Sequence, residues 1–179
     1  MSLKSLLAKP FAAWVAHSTR RWSTRPSQSQ RRVFQELVSS AEHTAFGRDH
    51  DFSSIQSYAD FQARVPVRDY EDLKPYVERI RTGEEDILWP GKPIYFAKTS
   101  GTTSGAKYIP ITKQSMPFHV QAARNALLHY VNETGKTTFI DGKMIFLQGS
   151  PELEEVNGVK LGRLSGIVAH YVPGYLQRN

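Results

Sequence analysis

The sequence predicts an α/β fold in which a helical N-terminal half leads into a small mixed sheet carrying a Ser/Thr/Gly loop. Apolar residues recur at three- and four-residue steps up to about position 81, the period of helices buried along one face. Two short runs rich in aromatic and β-branched residues follow, Ile94-Tyr95-Phe96-Ala97 and Tyr108-Ile109-Pro110-Ile111-Thr112. Between them lies Lys98-Thr99-Ser100-Gly101-Thr102-Thr103-Ser104-Gly105-Ala106-Lys107, a loop of hydroxyls and glycines bounded by lysines.

With 179 residues the chain is one domain or a little more. A chain of that size buries roughly 70% of the surface its unfolded form exposes, enough for a core. The absence of cysteine excludes disulfides, thiolate metal sites and thiol catalysis, and fits a reducing cytosol, so a cytoplasmic protein is expected. No stretch approaches the ~18 apolar residues of a membrane span. The formal charge of +6 is unevenly placed: Lys4, Lys9, Arg20, Arg21, Arg25, Arg31 and Arg32 precede the first acid, Glu36. The remainder is close to neutral, which argues against a nucleic-acid-binding body.

Residues 3–22 read as an amphipathic helix, with Leu3, Leu6, Leu7, Phe11, Trp14 and Val15 apolar and Pro10 breaking or kinking it. Its acid-free, arginine-containing composition also suits a transit peptide or a membrane-surface helix. The aromatic residues need burial, so packing on the body with the basic face in water is the expectation, without stable membrane association. Pro26 opens a second helix over about 27–45, which Phe46-Gly47 ends by supplying a left-handed residue. A short helix near Ser57–Arg64 stops at Pro66, and Asp69 caps another that Thr82-Gly83 closes. Glu84-Glu85-Asp86 reads as a solvated turn, since three adjacent acids cannot face one ion on regular backbone.

After the loop, Thr112 or Ser115 caps a helix to about Thr134, with Val120, Ala123, Leu127, Leu128 and Val131 as its buried stripe. Lys143-Met144-Ile145-Phe146-Leu147 reads as a third, central strand. Glu154–Leu161 alternates around Asn157-Gly158, a small hairpin. Residues 164–176 read ambiguously, with a helix starting near the end. The expected division is a basic helical arm at 1–25, a helical segment at 26–91, and sheet plus helix at 92–179.

The loop is the one constellation with chemistry in it. Glycines let backbone N–H groups converge on phosphate oxygens, Ser and Thr add donors, and Lys107 adds a positive charge. Composition alone equally suits a hairpin loop with no ligand. The Walker A pattern fails: counted from Gly101, its second glycine falls on Ala106 and its closing Ser/Thr on Tyr108. The six histidines are scattered; His119 and His129 are ten apart, not at a helical zinc spacing. Asp49-His50-Asp51 reads as a polar loop, and no metal site is expected. No G-x-S-x-G elbow supports a serine hydrolase.

Thr99-Ser100-Gly101-Thr102-Thr103 followed by Lys107 resembles the phosphate-binding motif of adenylate-forming enzymes, [ST]-S-G-[ST]-[ST] with a lysine shortly after. The surroundings resemble one family of these more closely. Pro66-Val67, Tyr70-Glu71, Pro75-Tyr76-Val77-Glu78-Arg79-Ile80, Leu88-Trp89-Pro90-Gly91 and Tyr95-Phe96-Ala97-Lys98 up to Lys107-Tyr108-Ile109-Pro110-Ile111-Thr112 are similar to the auxin-responsive promoter (Gretchen Hagen three) family of acyl-acid amido synthetases.

The resemblance implies part of an adenylate-forming-enzyme fold and an ATP-dependent acid–amine ligase. A small carboxylic acid would attack the α-phosphorus, pyrophosphate would leave, and an amine or amino acid would capture the acyl-adenylate. It implies that Thr99, Ser100, Gly101, Thr102, Thr103, Ser104, Gly105 and Lys107 hold the ATP phosphates, with Lys107 offsetting charge as pyrophosphate departs and Mg2+ bridging the phosphates. No nucleic-acid partner is implied. The family's enzymes are several times longer, so an N-terminal portion, inactive alone, is expected. Missing segments would leave apolar strand faces exposed and favour association. A non-catalytic phosphate binder, or an interaction module at residues 1–35, remains the alternative.

Overall fold

The computed structural model describes residues 3–99, 105–142, 145 and 147–172. Helices α1 (Leu3–Ser23), α2 (Pro26–Ala41), α3 (Ala45–Asp49), α4 (Tyr58–Arg64) and α5 (Tyr70–Arg81) precede strands β1 (Tyr95–Lys98) and β2 (Tyr108–Ile111). Then come α6 (Met116–Thr134), β3 (Glu154–Val156), β4 (Val159–Gly162) and α7 (Leu164–Ala169). The helical half followed by a small mixed sheet is the predicted fold class.

The strand order is β2-β1-β4-β3. β1 pairs antiparallel with β2, Lys98 opposite Tyr108 and Tyr95 opposite Ile111, and parallel with β4, Phe96 opposite Leu161. Both edges of β1 are therefore paired, and both of its faces are covered. Phe96 packs with Val159, Leu161, Ile80 and Ile87 on one side. Tyr95 and Ala97 pack with Ile111, Met116 and Ile167 on the other, as the two-residue alternation of a strand requires. Antiparallel β3 and β4 turn through Asn157 (φ 49°) and Gly158 (φ 77°), the doubly left-handed turn of a two-residue hairpin.

Helix ends follow local chemistry. At α4 the Ser57 hydroxyl accepts the Asp60 N–H while the Asp60 carboxylate accepts the Ser57 N–H; Asp69 and Asp72 repeat this at α5. Gly135 (φ 68°) ends α6. The second helix stops earlier than expected. Thr44 accepts the Gly47 N–H at 3.0 Å and donates to the Ala41 carbonyl at 2.7 Å, so the chain restarts as α3. Gly47 is inside that turn and is not left-handed: a Cβ there would sit 2.1 Å from the Ala41 carbonyl oxygen, so close backbone approach is what demands glycine.

Three further expectations are corrected. Ile145 and Leu147 lie in no strand and are 89% and 98% exposed, while Lys143, Met144 and Phe146 lie outside the described residues. The central places beside β1 are taken by β2 and β4, so the run does not supply the central strand that its composition suggests. Among the predicted stripe of α6, Leu128 and Val131 are buried but Ala123 and Leu127 are exposed. Helix α1 runs unbroken through Pro10 and packs on α6 through its small residues, Ala12 and Val15 against Leu128 and Val131. Its large residues Leu3, Leu7 and Trp14 face outward. No helix among the described residues is long and apolar enough to cross a membrane.

Candidate functional site

The hairpin β1–β2 holds the loop, and its neck is closed by one residue pair. Thr99 N–H donates to the Lys107 carbonyl at 3.0 Å, and Lys107 N–H donates to Thr99 Oγ1 at 3.2 Å. Gly105, at φ 81°, turns the backbone back toward the neck in a region that disfavours a Cβ. Of the predicted phosphate-binding residues, Thr99, Gly105 and Lys107 are described; Ser100, Gly101, Thr102, Thr103 and Ser104 lie outside the described residues.

Lys107 is also held from the far side of the neck. Its Nζ lies 5.3 Å from the Tyr70 ring centroid, within cation–π range. Tyr70, the first residue of α5, accepts the Tyr108 N–H on its hydroxyl at 2.8 Å. That N–H belongs to the β2 edge, so α5 supplies the partner a further strand would otherwise give. The Arg81 guanidinium stacks 4.2 Å over the Tyr108 ring at the other end of α5.

Beside the loop, at the carboxyl ends of the parallel pair β1 and β4, opens a cleft of about 360 Å³. Crevices at that end of parallel strands are where α/β sheets bind ligands. Lys98, Thr99 and Ala106 line one side, and Ser150, Glu152, Glu154 and Arg163 the other. Small residues let the second wall come close. A Cβ on Gly166 would lie 2.1 Å from the Ser150 carbonyl oxygen, and one on Gly149 2.9 Å from Arg163 Cδ. Ser165 Oγ accepts the Gly149 N–H at 3.0 Å, and His170 Nε2 meets the Pro151 carbonyl at 2.8 Å, tying residues 149–151 to α7.

The sequence reading missed the second wall. Arg163 directly follows β4, as Lys98 closes β1, but the two approach only because β1 and β4 pair across more than sixty positions. Asp49, His50 and Asp51 do not converge. Tyr76 donates to Asp49, Arg64 pairs with Asp51, and His50 is buried between the Phe46 carbonyl and Arg68. Arg68 Nη2 faces His50 Nε2 at 3.0 Å, leaving that nitrogen as the acceptor and Nδ1 as the donor to Phe46.

A model of the GH3 family N-terminal domain matches residues 15–175. Over 104 residues, 52% of this chain and 22% of the relative, the chain is 36% identical to "Probable indole-3-acetic acid-amido synthetase GH3.13" of Oryza sativa subsp. japonica. Jasmonoyl--L-amino acid synthetase JAR4 of Nicotiana attenuata is 24% identical over 136 residues, 74% of this chain and 23% of the relative. The solved structure of GH3.15 acyl acid amido synthetase superposes with a TM-score of 0.75 at 21% identity, covering 86% of this chain and 28% of that one. That likeness is one of fold. The chain spans under a quarter of the length of these curated relatives. By the family match over most of its length and by its fold, the chain belongs to the GH3 family, within the N-terminal domain.

Proposed function

We propose that these residues form the phosphate-gripping part of an ATP-dependent acyl-acid amido synthetase. The relatives' names supply the reaction class: a small carboxylic acid joined to an amine or amino acid. In that reaction the acid attacks the α-phosphorus of ATP, releasing pyrophosphate, and the amine then displaces AMP from the acyl-adenylate. The observation that carries the reading is the neck between Thr99 and Lys107. It holds a Ser/Thr/Gly loop closed beside a cleft with two further cations, Lys98 and Arg163.

The donor chemistry fits a polyphosphate. Lys107 and the loop hydroxyls would take the β- and γ-phosphates, while Lys98 and Arg163 would offset charge at the cleft mouth. Mg2+ takes oxygen ligands and keeps much of its water, so the nucleotide's own phosphates would carry most of it. Glu152 and Glu154 on the cleft wall are oxygen donors of the right kind. Bound there, the ion would neutralise charge on the departing pyrophosphate.

Pyrophosphate itself tests the assignment. If the loop grips the terminal phosphates, pyrophosphate with Mg2+ displaces a fluorescent ATP analogue from the chain and AMP does not. Displacement by AMP and not by pyrophosphate would contradict the assignment. The 179 residues alone are expected to bind without turning over. Carboxylate-dependent exchange of pyrophosphate into ATP by this polypeptide would overturn that part.

A further inference from the structure

The outward face of α1 and α2 has no role in the nucleotide site and has a distinct composition. Leu3, Leu7 and Trp14 fall on one stripe of α1, with Leu6 alongside, and are 71%, 58%, 63% and 60% exposed. Ala12, Val15 and Ala16, on the other side of the helix, are buried. Phe11 and Trp14 stack at 5.8 Å between ring centroids, placing an aromatic pair at one end of the stripe.

The same stripe continues through Ser18 and Arg21 into a groove of about 780 Å³ between α1 and α2. Arg21, Arg25, Arg31 and Arg32 line it with Trp22, and no acidic residue does. Among the described residues, no carboxylate pairs with any of these four arginines. The family match begins at residue 15, so the apolar half of the face, residues 3–14, lies outside what the chain shares with that model.

We propose that this face docks reversibly on an anionic phospholipid surface. An exposed apolar stripe flanked by cations, with no acid before Glu36, is the pattern of a helix lying in the bilayer interface. The apolar ridge would enter the headgroup–acyl boundary, and the arginine groove would take the lipid phosphates. Charge decides between this occupant and a second copy of the chain. A two-fold contact through the same face would either oppose Arg21, Arg25, Arg31 and Arg32 of both copies or lay them on the other copy's leucine and tryptophan ridge, and neither arrangement supplies the anions these cations lack. A polyanion such as nucleic acid would use the groove but leave the leucine and tryptophan ridge in water.

Vesicle co-sedimentation of the intact chain tests this. Binding is expected to phosphatidylcholine vesicles containing phosphatidylglycerol, not to phosphatidylcholine alone, and to weaken as salt rises. Leu7→Glu with Trp14→Glu should lower the bound fraction at least about tenfold, as should Arg31→Ala with Arg32→Ala. All four side chains are exposed, and an unchanged circular-dichroism spectrum and melting curve verify the fold. The proposal fails if the anionic vesicles leave the chain in the supernatant at low salt, or if the first double variant binds them unchanged. It fails equally if ultracentrifugation shows a dimer that Trp14→Glu disperses. Capture by single-stranded DNA that is tighter than by vesicles and indifferent to the first double variant would also reject it.

Discussion

Thr99 and Lys107 exchange two hydrogen bonds across eight positions, the Thr99 N–H to the Lys107 carbonyl and the Lys107 N–H to the Thr99 hydroxyl. The second bond needs a side-chain oxygen at 99, which makes the hydroxyl a structural part of the loop. Thr99→Val keeps shape and removes that acceptor. It should weaken nucleotide binding by about 1 kcal/mol, close to fivefold, while Thr99→Ser stays near the parent. Paired titrations of the two variants check this.

Tyr70 holds the other side of the neck. Tyr70→Phe keeps the ring under Lys107 but removes the acceptor of the Tyr108 N–H, at a cost of about 1 kcal/mol in urea unfolding. Tyr70→Leu removes the ring as well, adding about 0.5–1 kcal/mol. Equal unfolding midpoints for the parent and Tyr70→Phe would show that the hydroxyl contributes nothing.

Two glycines separate cleft geometry from general stability. Gly166→Ala drives a methyl into the Ser150 carbonyl and must displace the cleft wall. It should cost about 1–3 kcal/mol and weaken nucleotide binding. Gly158→Ala strains the β3–β4 turn at φ 77°, costing about 1 kcal/mol with binding unchanged. Denaturation and calorimetry on both variants check the contrast.

Asp60 predicts an acid response. The Ser57 hydroxyl, then the Gln56 and Ser57 N–H groups, hold its carboxyl below the ordinary value of 3.8. A carboxylate lowered on folding contributes stability that is present above the unfolded value and lost as pH falls through the folded one. The stability gap between the parent and Asp60→Asn should therefore be constant from neutral pH to about 4 and close below it. A gap that persists at lower pH would show that the charge is not its source.

What could be read from the chain was what neighbouring residues decide. The short helix near Ser57, the Asp69 cap, the Asn157-Gly158 hairpin and the two strands around the loop each rest on residues a few positions apart. What could not be read depended on distant partners. The run at 143–147 has a strand's composition, yet its described residues Ile145 and Leu147 lie in no strand and it is β4 that pairs with β1. Trp14 reads as a residue in need of cover because a helical period cannot say that the small residues Ala12 and Val15 make the contact with α6. Half of the candidate site shares this origin. Lys98, Thr99 and Lys107 are contiguous with the motif, whereas Glu152, Glu154 and Arg163 reach the cleft only through the β1–β4 pairing and the close approach at Gly166.

Calorimetric titration of the chain with Mg2+ and ATP tests the central claim most directly. The loop reading predicts saturable binding that Lys107→Ala weakens by roughly tenfold or more, the scale of a charged hydrogen bond. Absence of binding at millimolar nucleotide, or identical affinities for the parent and Lys107→Ala, would contradict it.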